Sequence, residues 1–96
     1  MSEFQKIKQK KKEILDVARQ HGIVNIRIFG SVARGEENLQ SDIDLLVDLE
    51  KGRTLFDLGG ALVKLQNILG RKVDIVTERG LHWYLRKKIM KEAKPL

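Results

Sequence analysis

The 96 residues predict an α/β fold of the α+β kind, a small sheet with helices in the order α-β-β-α-β-α. Three observations carry this reading. Apolar residues recur at helical spacing in three stretches. Three short stretches are β-branched and alternate or run continuously apolar. Glycine or a capping residue stands at most junctions between them.

Residues 3–20 read as one helix, with Phe4, Ile7, Ile14 and Ala18 on its stripe and Leu15 widening it; Lys11 falls on the same stripe, and Gly22 is a natural stop. "IVNIRIF", 23–29, reads as a strand that Gly30 breaks. "SVARGE" is a short helical turn with Ser31 placed as its N-cap, and 35–41 is loop. Residues 42–49 alternate, with Ile43, Leu45, Val47 and Leu49 on one face and Asp42, Asp44, Leu46 and Asp48 on the other. Thr54 can cap a helix over 55–69, whose apolar set is Leu55, Leu58, Leu62, Leu65 and Leu69, with Ile68 alongside. Gly59 and Gly60 inside it each cost about 1 kcal/mol relative to Ala, and either permit close packing on the sheet or mark a kink. Gly70 ends the helix, "KVDIVT" at 72–77 is a third strand, and a last helix spans about 81–93. Leu81, Leu85 and Ile89 are its expected inward stripe, with Pro95 beyond its end. No repeat, low-complexity run or linker interrupts the chain, so 1–96 reads as a single domain.

A chain of this size buries roughly two-thirds of its unfolded surface, enough for one core and little enclosed cavity. With no cysteine, disulfides and thiolate metal sites are excluded. No apolar run reaches about 18 residues and no signal-peptide pattern is present, so a cytoplasmic protein with no membrane association is expected. The net charge is +6, yet 36–50 carries six acids and no Lys or Arg. An acidic centre between basic flanks suits cation binding in the middle and anion attraction around it, against the alternative of a merely solvated surface.

Asp42 and Asp44 lie two apart on a strand, so both carboxylates leave one face with Cα atoms roughly 6.5 Å apart. Like charges so placed repel unless cations lie between them, and carboxylate oxygens suit Mg²⁺, two ions being the usual complement of phosphoryl-transfer sites. Asp74, between Val73 and Ile75, is the candidate third ligand, since an unpaired acid is expensive in an apolar strand. The alternatives are a polar strand face for Asp42 and Asp44, and a salt bridge from Asp74 to Lys72 or Arg71. Gly30 lets backbone approach a ligand, Ser31 adds a hydroxyl, and Arg34 can add a charge-assisted contact or simply be solvated. Asp48 lies some 13 Å beyond Asp44 and reads as an end-of-strand surface acid. Glu36, His21 and His82 read as surface residues. Trp83 lies off its helix stripe and, with Tyr84 and Met90, forms either a docking patch or a side packed on the sheet.

Gly30-Ser31, ten residues, Asp42-x-Asp44, and Asp74 in a later strand together resemble the nucleotidyltransferase superfamily that includes DNA polymerase beta. The short chain is similar to its minimal nucleotidyltransferase (MNT) branch, and the resemblance spans about residues 23–92. It implies a polymerase beta-like core, a mixed sheet covered by helices with the metal site at its rim. It implies transfer of a nucleoside monophosphate from ATP to a hydroxyl, with Asp42 and Asp44 holding both metals, Asp74 holding the catalytic one, and Gly30 and Ser31 gripping the triphosphate. MNT proteins pair with HEPN-family toxins, which implies an antitoxin that adenylylates a tyrosine of its partner. A docking antitoxin with a vestigial nucleotide site is the competing reading. A nucleic-acid binder using Lys6, Lys8, Lys10, Lys11 and Lys12 ranks below both, because the acidic middle opposes it and no aromatic stacking platform is present. Oligomeric state stays open.

Overall fold

The computed structural model describes residues 2–36, 38 and 40–96. Glu37 and Leu39, within the loop expected over 35–41, lie outside the described residues. The elements are α1 (Glu3–Gln9), α2 (Lys11–Gln20), β1 (Ile23–Phe29), α3 (Gly30–Arg34), β2 (Ile43–Leu49), α4 (Leu55–Leu69), β3 (Val73–Thr77), α5 (Trp83–Glu92) and β4 (Lys94–Pro95). The sheet order is β3-β2-β1-β4. β1 pairs antiparallel with both β2 and β4, while β2 pairs parallel with β3 across the α4 connection, so the sheet is mixed.

The expected single first helix is two. Lys10 leaves helical geometry at φ −100°, ψ 15°, and caps both pieces. From Lys8 to Glu13 the chain offers no apolar side chain to the core, and Ile7 and Ile14, on either side of the break, are both fully buried. The Lys10 ammonium donates to the Ile68 carbonyl at 2.7 Å, fastening the joint to α4. A reciprocal Ser2–Gln5 capping box starts α1.

The core gathers Ile7, Ile14 and Ala18 from the first helices, Ile23, Ile26 and Ile28 from β1, Ile43, Leu45 and Val47 from β2, and Ala61 and Leu65 from α4. Leu46, on the face assigned to the acids, is also fully buried yet lies outside this cluster, so that face is not polar throughout. Thr54 and Asp57 form a capping box on α4, and Gly70 closes it in the left-handed conformation. The inward face of α4 centres on Ala61 and Leu65, whereas Leu55, part of the expected apolar set, is exposed in the first turn. Gly60 meets α2 rather than the sheet: a Cβ there would come within 2.8 Å of the His21 ring, whereas one on Gly59 would meet open space. His21 is accordingly half-buried, with Nε2 enclosed and unpartnered among the described residues, and His82 is exposed as expected.

Two departures lie near the C-terminal end. No residue of α5 is buried, and Leu85 of the expected inward stripe is open to solvent. Polar contacts hold this helix instead, including Arg86 with Glu78 and Glu92 with Arg34. Pro95 does not merely follow α5 but lies in β4, a strand of two residues that periodicity cannot reveal; Leu96 then buries and its N–H bonds the Ile26 carbonyl at 3.1 Å.

β1 carries a bulge. Ile23 and Val24 pair with Leu49 and Asp48, but from Arg27 onward the register is shifted by one residue. Asn25 takes the extra residue at φ 54°, a conformation that Asn tolerates better than most side chains, and its amide bonds Asp48 at 3.0 Å.

Candidate nucleotide and metal site

The shifted register sets Phe29 opposite Asp44 and leaves the turn into α3 lying on that acid. Gly30 has φ 73°, where side chains are strained, and a Cβ built on it would run into Asp44 Oδ2. Glycine is therefore required twice, by backbone angle and by space. Phe29, not Ser31, holds the N-cap position of α3, because the chain becomes helical one residue earlier than expected, at Gly30. Ser31 is half-buried within the first turn, and its hydroxyl has no partner among the described residues.

β2 and β3 run parallel in a register that pairs Ile43 with Val73 and Asp44 with Asp74. Asp44 and Asp74 are therefore cross-strand neighbours, and Asp42 lies two residues before Asp44. Asp44 is pushed above the ordinary carboxylate range, first by burial, then by the negative charges of Asp74 and Asp42; the Arg34 charge opposes this weakly. Among the described residues Asp74 has no ion-pair partner, so the salt bridges weighed for it do not form: Arg71 pairs with Glu3 at 3.2 Å and Lys72 reaches Asp42 loosely at 3.8 Å. Asp48 is not a free surface acid; it pairs with Arg27 at 3.4 Å and sits apart from the three.

These three acids suit divalent cations in donor type and in charge. Oxygen ligands bearing mutually repelling charges, one of them partly desolvated, are stabilised by a hard cation. The set is not closed: among the described residues no three His, Cys or acidic side chains stand close enough together to hold an ion.

Arg34 does reach the turn. Its Nε contacts Glu36 at 3.0 Å, and Nη1 contacts Glu92 at 3.1 Å, the two carboxylates holding the guanidinium charged. Glu36, expected to have no role, thus orients Arg34. Glu92, which the sequence reading passed over, also accepts from the Gly30 N–H at 3.0 Å. One signal for it existed: an acid in the last turn of a helix opposes the helix dipole, and such a residue needs a reason. A cavity of about 680 Å³ lies at the far end of β2, between Asp48, Arg53 and Arg79, and includes none of these groups.

The nucleotidyltransferase domain model matches residues 7–96. The chain belongs to that nucleotidyltransferase family. A candidate protein adenylyltransferase of Methanocaldococcus jannaschii is 38% identical over 87 residues, covering 91% of this chain and 94% of its own length. The solved structure of a candidate minimal nucleotidyltransferase superposes with a TM-score of 0.87 at 45% identity, over 100% of this chain and 97% of its own. A toxin–antitoxin structure with AMP-PNP shares the fold, at TM-score 0.73 and 24% identity over 88% of this chain and 69% of that one. The fold is thus that of a minimal nucleotidyltransferase, and the chain is a nucleotidyltransferase enzyme. Among the described residues no helix is long and apolar enough to cross a membrane.

Proposed function

We propose that the chain transfers AMP from ATP to a hydroxyl of a protein partner, and that the partner is a HEPN-family toxin carrying an acceptor tyrosine. The observation that carries this is the seating of the Gly30 turn directly on Asp44, with Asp74 paired across the sheet, in a member of the nucleotidyltransferase family. The name of the Methanocaldococcus relative supports a protein acceptor, and the AMP-PNP complex supports an adenine nucleotide in a toxin–antitoxin setting.

In this reading the Gly30 N–H, the free Ser31 hydroxyl and Arg34 bind the triphosphate. Asp42, Asp44 and Asp74 would hold the Mg²⁺ that this chemistry uses. Bound there, Mg²⁺ would neutralise phosphoryl charge and acidify the acceptor hydroxyl. The acceptor oxygen attacks the α-phosphorus, the bond to the bridging oxygen of the β-phosphate breaks, and pyrophosphate leaves. In this reading Asp74 takes the hydroxyl proton. The acceptor side of β3 is open, since Asp74 is exposed on an edge strand, so a docked partner would wall it off and exclude water.

Incubation with labelled ATP, Mg²⁺ and the product of the adjacent gene should place label on the partner. Asp42→Asn and Asp44→Asn should abolish labelling in a folded protein. Neutralisation of the partner without label would favour a docking antitoxin with a vestigial site, for which the exposed Trp83 and Tyr84, 83% and 60% accessible, are a natural surface. Asp74→Asn should lower turnover more than Mg-ATP affinity, as expected of a group acting mainly in the transition state; equal losses would assign it to ground-state binding.

A further inference from the structure

We infer that Glu92 sets the nucleotide affinity of this enzyme by occupying the anion seat itself. This rests on the reading of Gly30 and Arg34 as triphosphate-binding groups. One carboxylate takes both: Oε1 accepts from the Gly30 N–H at 3.0 Å, and Oε1 and Oε2 receive Arg34 Nη1 at 3.3 and 3.1 Å. A carboxylate and a phosphate present the same chemistry to such donors, two oxygens sharing negative charge. Both cannot use them at once.

Three features make the contact a latch rather than part of the core. Glu92 lies in the last turn of α5, where an acid is disfavoured by the helix dipole, so its position depends on the groups it meets across the gap. No residue of α5 is buried, so little apolar packing opposes withdrawal. The Glu92 side chain remains 17% accessible and Arg34 39%, so solvent and a competing anion can reach the pair. A triphosphate brings more charge than one carboxylate and displaces it; Glu92 then stands near the polyanion and must turn away. The resting site keeps Arg34 neutralised and the Gly30 N–H satisfied, and weak anions are excluded.

Calorimetry of inorganic tripolyphosphate and of Mg-ATP with four proteins tests this. Glu92→Gln keeps the size and an acceptor for Gly30 but removes the charge, and should bind tripolyphosphate about ten-fold tighter than wild type. Glu92→Ala should gain at least as much. Glu50→Gln, at the far end of β2, should be unchanged. Equal or weaker binding by Glu92→Gln overturns the latch, and an equal gain in Glu50→Gln reduces it to a long-range charge effect and overturns it too. Should the variants loosen α5, NMR of the wild-type chain decides: tripolyphosphate should shift the Gly30 amide at saturation, and an unmoved amide overturns the proposal. If wild type labels its partner while Glu92→Gln gains no affinity, the latch falls and the transferase reading stands. If Glu92→Gln gains tripolyphosphate affinity but no acceptor is ever labelled, the latch stands and that reading falls.

Discussion

The turn from β1 into α3 and the helix α5 face each other across one carboxylate, and they are built by opposite means. The turn has no freedom: Gly30 is pressed on Asp44, Val32 and Ala33 behind it are buried, and the backbone leaves β1 at a positive φ. The helix has no buried residue and is held by charges. Groups that must meet a nucleotide at fixed distance belong to a part that cannot move, and groups that regulate access or meet a partner belong to a part that can.

The sharpest way to break this contrast is Gly30→Ala. A left-handed backbone and a collision with a carboxylate together should cost about 3 kcal/mol. In a domain of this size that lowers Tm by roughly 12–24 °C, read by thermal denaturation. If the collision is half of the cause, adding Asp44→Ala should restore about half of the loss. A drop of only a degree or two would mean that the turn relaxes freely and is no more rigid than α5.

Thr54→Ala comes next. It removes one half of the α4 capping box and should cost about 1 kcal/mol, shared by the whole core because α4 supplies Ala61 and Leu65. Leu85→Ala on α5 should change stability by less than about 0.5 kcal/mol, as for surface substitutions. A penalty above 1 kcal/mol in denaturant titration would show that α5 is packed in solution, and would remove the contrast.

Asp44→Asn sharpens the comparison at its smallest scale. The folded state raises the Asp44 pKa, so ionising it works against folding at every pH above that raised value. The variant should melt slightly higher than wild type near pH 7 in the presence of a chelator. The difference should shrink as pH falls and vanish below about pH 3, where the carboxyl is protonated in both states. A lower Tm at pH 7 would make Asp44 a structural acid.

The same division explains what could be read in advance. The constellation proposed for the nucleotide, Gly30, Asp42, Asp44 and Asp74, was legible as residue types at particular spacings, and the β2–β3 register did bring Asp44 beside Asp74. The strands were legible from β-branched alternation, and α4 from its cap and its Gly70 stop. The inward face of α5 was not, because an apolar stripe says which side could pack but not whether another element arrives to cover it. The break at Lys10 was visible only as an oddity one residue on, Lys11 where the stripe wanted an apolar residue. Two-residue β4 lies below the length at which alternation exists. Glu92 was hidden because its meaning lies 62 residues away, in the N–H of Gly30.

The bulge at Asn25 sets a count. Were the first register continued through β1, residue 28 rather than Phe29 would face Asp44, and Gly30 would overshoot the acid by one step. The bulge takes up that extra residue locally, so the ladder beyond it still brings Phe29 to Asp44. A substitution at Asn25 would leave the tally intact. Deleting that single residue would straighten the strand and still leave Phe29 opposite Asp44, because everything after it would move back one place into the first register. For this fold the bulge is thus slack in the strand: it keeps a distant turn on its acid although β1 carries one residue more than the ladder needs.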